Sequence, residues 1–152
     1  MKPLSSLLIV LLLGACAGPP ETLVVKQSRL RDINVGPDTE PMARMEQELR
    51  LRGAVSNSER SQRLGQYFTL QWSDPTGVGH GPVEVIFQYQ QGATASLVKR
   101  LRKSFPSSDS QGRAEFAILG NDYFQGGKVL TWKATVRRGG RELASRQSYL
   151  WQ

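Results

Sequence analysis

Val83-Glu84-Val85-Ile86-Phe87-Gln88-Tyr89 places apolar side chains at Val83, Val85, Phe87 and Tyr89, every second position. Successive side chains of a strand point to opposite faces, so this spacing predicts a strand with one buried face. Upstream, Tyr67-Phe68-Thr69-Leu70-Gln71-Trp72 repeats the pattern with Phe68, Leu70 and Trp72. The residues between the two runs, 73–82, hold three glycines and two prolines and read as a loop. Gln90-Gln91-Gly92 closes the second strand.

Downstream, Ala114, Phe116 and Ile118 alternate with Glu115 and Ala117, and Gly120-Asn121-Asp122 reads as a turn. Leu130, Trp132, Ala134 and Val136 are expected to point inward, past Lys128, Thr131, Lys133 and Thr135. Arg138-Gly139-Gly140-Arg141 is a hairpin signal, because paired glycines supply the positive φ that tight turns need. A last strand runs from Glu142 to Trp151. Residues 94–105 fit two patterns. As a strand, Leu97, Leu101 and Phe105 share a face with Lys99 and Lys103. As a helix, Leu97, Val98, Leu101 and Phe105 form a stripe ringed by basic residues, a segment suited to an anionic membrane. The strand is the preferred reading, since strands surround it and Pro106 ends it; its cations would then discourage edge-to-edge pairing.

Six strand candidates thus lie between residues 63 and 151, and Leu51-Arg52 or Leu23–Ile33 can supply a seventh. Short strands separated by turn signals predict a mainly β chain, an antiparallel β-sandwich. The Trp132 strand and the closing hairpin resemble an immunoglobulin or fibronectin type III sandwich, by pattern alone. The Cys…Trp…Cys spacing of true immunoglobulin domains is absent, and an antiparallel barrel fits the same alternation.

One N-terminal α-helix is expected before the sandwich. Asp38 or Thr39 can cap it, Glu40 suits its positive end, and Pro41 is tolerated in the first turn. Met42, Met45 and Leu49 then fall on one face, with Gly53 as the stop. Such a methionine stripe serves either a partner groove or packing on the helix's own domain; the second is the expectation here.

At the other end of the chain, Met1-Lys2 precedes an apolar run from Leu4 to Leu13, and Leu13-Gly14-Ala15-Cys16 follows. The run is about half the ~20 residues that span a bilayer, and it has the build of a secretory signal. It resembles the bacterial lipoprotein signal, whose lipobox reads Leu, small, small, Cys. The resemblance implies acylation of Cys16, cleavage after Ala15, and loss of residues 1–15. Ala17, where inner-membrane retention commonly uses aspartate, implies the outer membrane, with the domain facing the periplasm. Cys16 is the one cysteine of the chain, so no disulfide framework exists and a lone thiol is explained by acylation. The expected organisation is a signal over 1–15, a lipidated spacer over 16–21, a strand and helix packed on the sandwich over 22–62, and the sandwich over 63–152.

The formal charge is +7. A basic surface attracts anions of any kind, while export argues against nucleic acid. Two clusters stand out: Lys99, Arg100, Arg102 and Lys103, and Arg137, Arg138 and Arg141. If their strands are neighbours they form one patch for an anionic lipid, lipopolysaccharide or glycan; otherwise they are solvated edges.

Catalytic signatures are weak. His80 is the one histidine and has no HxH or HxxE companion, so no metal ligand set and no cofactor are expected. Neither a GxSxG elbow nor a P-loop occurs. Trp151, beside the end of the sequence, is the candidate for sugar stacking, whereas Trp72 and Trp132 belong to the core. The expectation is a non-catalytic binding, structural or assembly module, tethered to the membrane and facing a protein or an anionic glycan. The alternatives are a carbohydrate- or peptidoglycan-binding module, or a hydrolase with dispersed carboxylates.

Overall fold

The computed structural model describes residues 21–34, 36, 39–94 and 96–151. The signal, Cys16 and all of the spacer but Glu21 lie outside the described residues. The elements in order are β1 (Leu23–Leu30), α1 (Pro41–Leu51), α2 (Asn57–Gln62), β2 (Gly65–Ser73), β3 (Val83–Gln91), β4 (Lys99–Phe105), β5 (Gln111–Leu119), α3 (Gly120–Gly126), β6 (Val129–Arg138) and β7 (Arg141–Gln147).

The strands form two antiparallel sheets, one in the order β1-β2-β5 and the other β4-β3-β6-β7. Alternation decides what each sheet turns inward. Leu23, Phe68, Leu70, Trp72, Ala114, Phe116 and Ile118 come from the first sheet, and Val83, Val85, Phe87, Tyr89, Ala134 and Val136 from the second. Phe68 and Phe87 meet between the sheets with ring centroids 4.5 Å apart, and Phe87 stacks on Phe116 at 5.5 Å. Each such pair contributes roughly 0.5–1.5 kcal/mol beyond its buried area. The two sheets therefore face one another as a sandwich, and among the described residues they share no ladder that would close a barrel. Of the segment at 94–105, Lys99–Phe105 forms the strand β4, whose Leu101 and Phe105 pack on the core, whereas Leu97, expected on the same face, precedes the strand and is exposed.

Leu130 departs from the expected inward set. The register of β3 against β6 shifts between Gln90 and Gln91, and Leu130 is turned out, 53% exposed. A bulge of this kind reverses the parity of a strand locally. Gly120-Asn121-Asp122, expected as a turn, opens the short helix α3. Tertiary bonds hold it there. Arg29 Nε donates to the Tyr123 hydroxyl at 2.8 Å, and Gln91 Nε2 donates to the Asp122 and Gly127 carbonyls at 2.9 and 3.0 Å.

Helix α1 lies on the outer side of the first sheet. Its N-cap is Glu40, whose carboxylate accepts from the Ala43 N–H at 3.1 Å, and Pro41 opens the first turn. The contact with the sheet is polar. Arg50 Nε bonds Glu46 at 2.8 Å, its Nη1 bonds Glu115 of β5, and its guanidinium lies 4.1 Å from the centroid of the Tyr67 ring. Ser28 of β1 donates to Glu46 at 3.1 Å, and Gln47 donates to the Asp32 and Asn34 carbonyls. Leu51 closes a small cluster with Leu30 and Tyr67. The expectation for the methionine stripe is thereby overturned: Met42, Met45 and Leu49 are 69%, 65% and 52% exposed. The residues that meet the sheet are Glu46, Arg50 and Leu51, while Gln47 holds the loop after β1.

Candidate functional site

The structure divides the seven predicted cations instead of gathering them. β3 stands between β4 and β6, so the two clusters are not on neighbouring strands. Lys99 and Lys103 follow Leu101 and Phe105 towards the open edge of the sandwich. Lys99 Nζ bonds Gln91 Oε1 at 2.7 Å and the Asp122 carboxylate, while Lys103 Nζ donates to the Arg113 carbonyl at 3.4 Å and lies over the Phe105 ring. Arg141 sits past the Gly139-Gly140 turn, opposite Arg138.

Arg138 is the clear correction. It belongs to no surface patch: it is buried, and its guanidinium bonds Asp74 Oδ2 at 2.7 Å, the Asp109 carbonyl at 2.7 Å, and the Gly81 and Ser107 carbonyls at 3.2 Å each. Two loops at one end of the sandwich, β2–β3 and β4–β5, converge on this side chain. A guanidinium can do this because it presents five donors in one plane.

What remains outward is a face on the second sheet. The register places Arg102 beside Ile86 and Thr135, Arg100 beside Gln88 and Lys133, and Glu84 beside Arg137. Arg100, Arg102, Lys133 and Arg137 thus share the outer surface of β4-β3-β6, with Glu84 between them, 3.4 Å from Arg102. Ile86 and Thr135 lie mid-face and are nevertheless buried, as expected where long Arg and Lys stems flank them. Lys133 was missing from the predicted patch. The signal for it was present, since it stands four residues before Arg137 on the same parity; what the sequence lacked was the pairing of β6 with β3.

Strand geometry sets the spacing. Alternate residues are ~7 Å apart along a strand and next-but-one strands ~10 Å apart. Arg100 and Arg102 thus lie ~7 Å apart along β4, and Arg137 stands two strands away, so the cations are spread over the face instead of gathered at one point. No protein-family model, curated protein or solved structure matches the chain.

The other polar centres are committed to structure. Tyr89 is buried and its hydroxyl stands 3.4 Å from Asp122; desolvation, and then the Asp122 charge, push its pKa up to about 12. This is the wrong direction for a nucleophile or base. Arg50 is drawn the other way from its burial, which opposes its charge: the bond to Glu46 and the charges of Glu115 and Glu46 raise its pKa. A groove of about 440 Å³ runs between the end of β1 and α1, but Arg29, Gln47 and Arg50 on its wall are already bonded within the chain. His80 is exposed in its loop, and among the described residues no three His, Cys, Asp or Glu side chains gather as a metal site. Trp151 is half-buried, whereas Tyr149 is fully exposed.

Proposed function

We propose that the chain is a lipid-anchored, non-catalytic binding module of the bacterial cell envelope, fastened through Cys16 to the outer membrane and facing the periplasm. The observation that carries the reading is Leu13-Gly14-Ala15-Cys16 behind an apolar run, followed within a few residues by the first strand of a sandwich, at Leu23. Two or more acyl chains supply stable anchoring where one does not. The strand order, with β4 beside β3 and not beside β5, supports a fibronectin type III-like arrangement, a scaffold that presents faces and loops to partners. The partner chemistry is a polyanion of the envelope, a lipopolysaccharide or an acidic glycan, met by Arg100, Arg102, Lys133 and Arg137.

Intact mass of the mature chain tests the anchor. The expected product begins at Cys16 and carries acyl chains, and Cys16→Ser should abolish both the added mass and the partition with membranes. An unmodified thiol at Cys16, or a Cys16→Ser variant that still sediments with membranes, removes the reading. A glycan reading without charge would rest on the exposed Tyr149; a response to neutral glycans lost in Tyr149→Ala would select it.

A further inference from the structure

Helix α1 is held to the first sheet by Glu46, Arg50 and Leu51 and to the loop after β1 by Gln47, and this leaves Met42, Met45 and Leu49 as an apolar face exposed among the described residues. We infer that this face rests on the surface of the same bilayer that holds the chain's own acyl group, so that the domain has a fixed orientation on the membrane. The inference rests on the Cys16 anchor proposed above.

The length of the tether carries it. Five residue steps separate Cys16 from Glu21, which allows at most ~17 Å even when fully extended. From Leu23, the five steps of β1 to Ser28 cover ~17 Å, and there the Ser28 hydroxyl bonds Glu46 of α1. Helix α1 itself is ~16 Å long. The exposed face is set off from the sheet that begins at Leu23 by about one helix diameter, ~10–12 Å, which is less than the reach of the tether, so the face and the acyl chains can meet the bilayer together. An interfacial helix needs an apolar side and a charged flank. Met42, Met45 and Leu49 supply the first, and the exposed Glu48 and Arg52 border them.

The tether also removes the need for strong binding. Once the acyl chains hold the domain, a second contact is effectively intramolecular, and a small apolar face suffices to orient it. The consequence concerns the opposite side. With α1 on the bilayer, the surface bearing Arg100, Arg102, Lys133 and Arg137 belongs to the other sheet and points away from the anchoring membrane, so of the two polyanions proposed it would meet an acidic glycan, or lipopolysaccharide not lodged in that membrane.

The test uses the full lipidated chain in vesicles of phosphatidylethanolamine and phosphatidylglycerol. With the Cys16 sulfur acylated, Met45→Cys supplies one free thiol for an environment-sensitive fluorophore, and Ser145→Cys supplies the control on exposed β7. Both positions are exposed, so neither replacement threatens folding. Lipids brominated in the acyl chain should quench the probe at 45 by about twofold or more and leave the probe at 145 nearly unchanged, as shallow interfacial burial requires. If the protein floats with the vesicles but the two probes are quenched alike, the anchor stands and the orientation is overturned. A 45–45 disulfide formed between unlabelled Met45→Cys copies under a mild oxidant, with the labelled protein unquenched by brominated lipid, assigns the face to a second copy and likewise overturns it. Failure to float removes the anchor and the orientation together.

Discussion

The Arg138 guanidinium closes on the Asp74 carboxylate at 2.7 Å with 1% and 12% of the two side chains exposed. Its remaining donors tie the Gly81, Ser107 and Asp109 carbonyls, and Trp72 lies alongside, 5.8 Å from the guanidinium carbon to the ring centroid. Removing one member of such a pair strands the other, and the cost is about 3–5 kcal/mol. Arg138→Met should show a loss of that size in urea unfolding. Arg138→Lys should recover little, because an ammonium cannot reproduce the fork. A loss under about 1 kcal/mol for Arg138→Met would mean the loops hold without it.

Gly112 makes room for the aromatic pair at the same end. A Cβ there would stand 2.7 Å from Trp72 Nε1 and 3.0 Å from the Phe105 ring. The Trp72 N–H is buried without a hydrogen-bond partner, and the two rings meet edge to face at 5.3 Å. Gly112→Ala should cost about 1–3 kcal/mol through overpacking, and should shift tryptophan emission in the folded state. The contrast is Gly140, with φ +86° and open space around it. There an alanine should cost only the backbone term, about 1–2 kcal/mol, with emission unchanged.

These two sites show what was legible in the sequence and what was not. Period two from Ala134 and Val136 lands on Arg138, so its inward parity could be read; its charge suggested a surface, and only the loops that supply its acceptors explain the burial. Val83, Val85, Phe87 and Tyr89 were readable because a strand's two faces are fixed locally. Leu130 was not, since the shift at Gln90/Gln91 arises in the pairing of two strands distant in sequence. Helix α3 was hidden by its glycines, which read as turn residues until Arg29 and Gln91 hold the segment in place. The methionine stripe of α1 was visible, but its direction was decided by Arg50, whose partners Tyr67 and Glu115 come from β2 and β5.

Arg50 should accordingly govern whether α1 stays docked. Arg50→Met keeps most of the stem and leaves Glu46 and Glu115 without their partner, at about 1.5–3 kcal/mol for lost bonds to a charged group. Hydrogen exchange is the measurement. Amides of α1 should exchange faster while those of β2 and β3 keep their protection. Uniform acceleration across the sandwich would show that Arg50 supports the whole fold and not the helix alone.

Charge reversal tests the outer face of the second sheet. Arg100→Glu with Arg102→Glu should weaken binding to lipopolysaccharide by at least about tenfold, taking ~1 kcal/mol per cation near an anionic surface. The loss should shrink as salt is raised, since exposed charges are screened. Lys133→Glu should add to it. Arg141→Glu, past the hairpin turn and off this face, should change it little. Binding that ignores salt, or that responds equally to Arg141→Glu, would remove the face as the site.

Tyr89 predicts the alkaline limit of the fold. Its folded pKa is raised to about 12 by desolvation and by Asp122, against about 10 in an unfolded chain. Between these values the unfolded chain has given up a proton that the folded chain retains, so the unfolded state binds fewer protons and stability falls as pH rises. The contribution is fully present below about pH 10 and is lost as pH climbs through the folded value. Urea midpoints measured across this range should decline, and Tyr89→Phe should flatten that part of the decline, because phenylalanine has no proton to lose. Tyr67, also raised by burial, adds to the same slope, so the variant flattens it only in part. An unaltered slope in Tyr89→Phe would show that the Tyr89 hydroxyl ionises alike in both states, and that Asp122 and the surrounding core do not hold its proton.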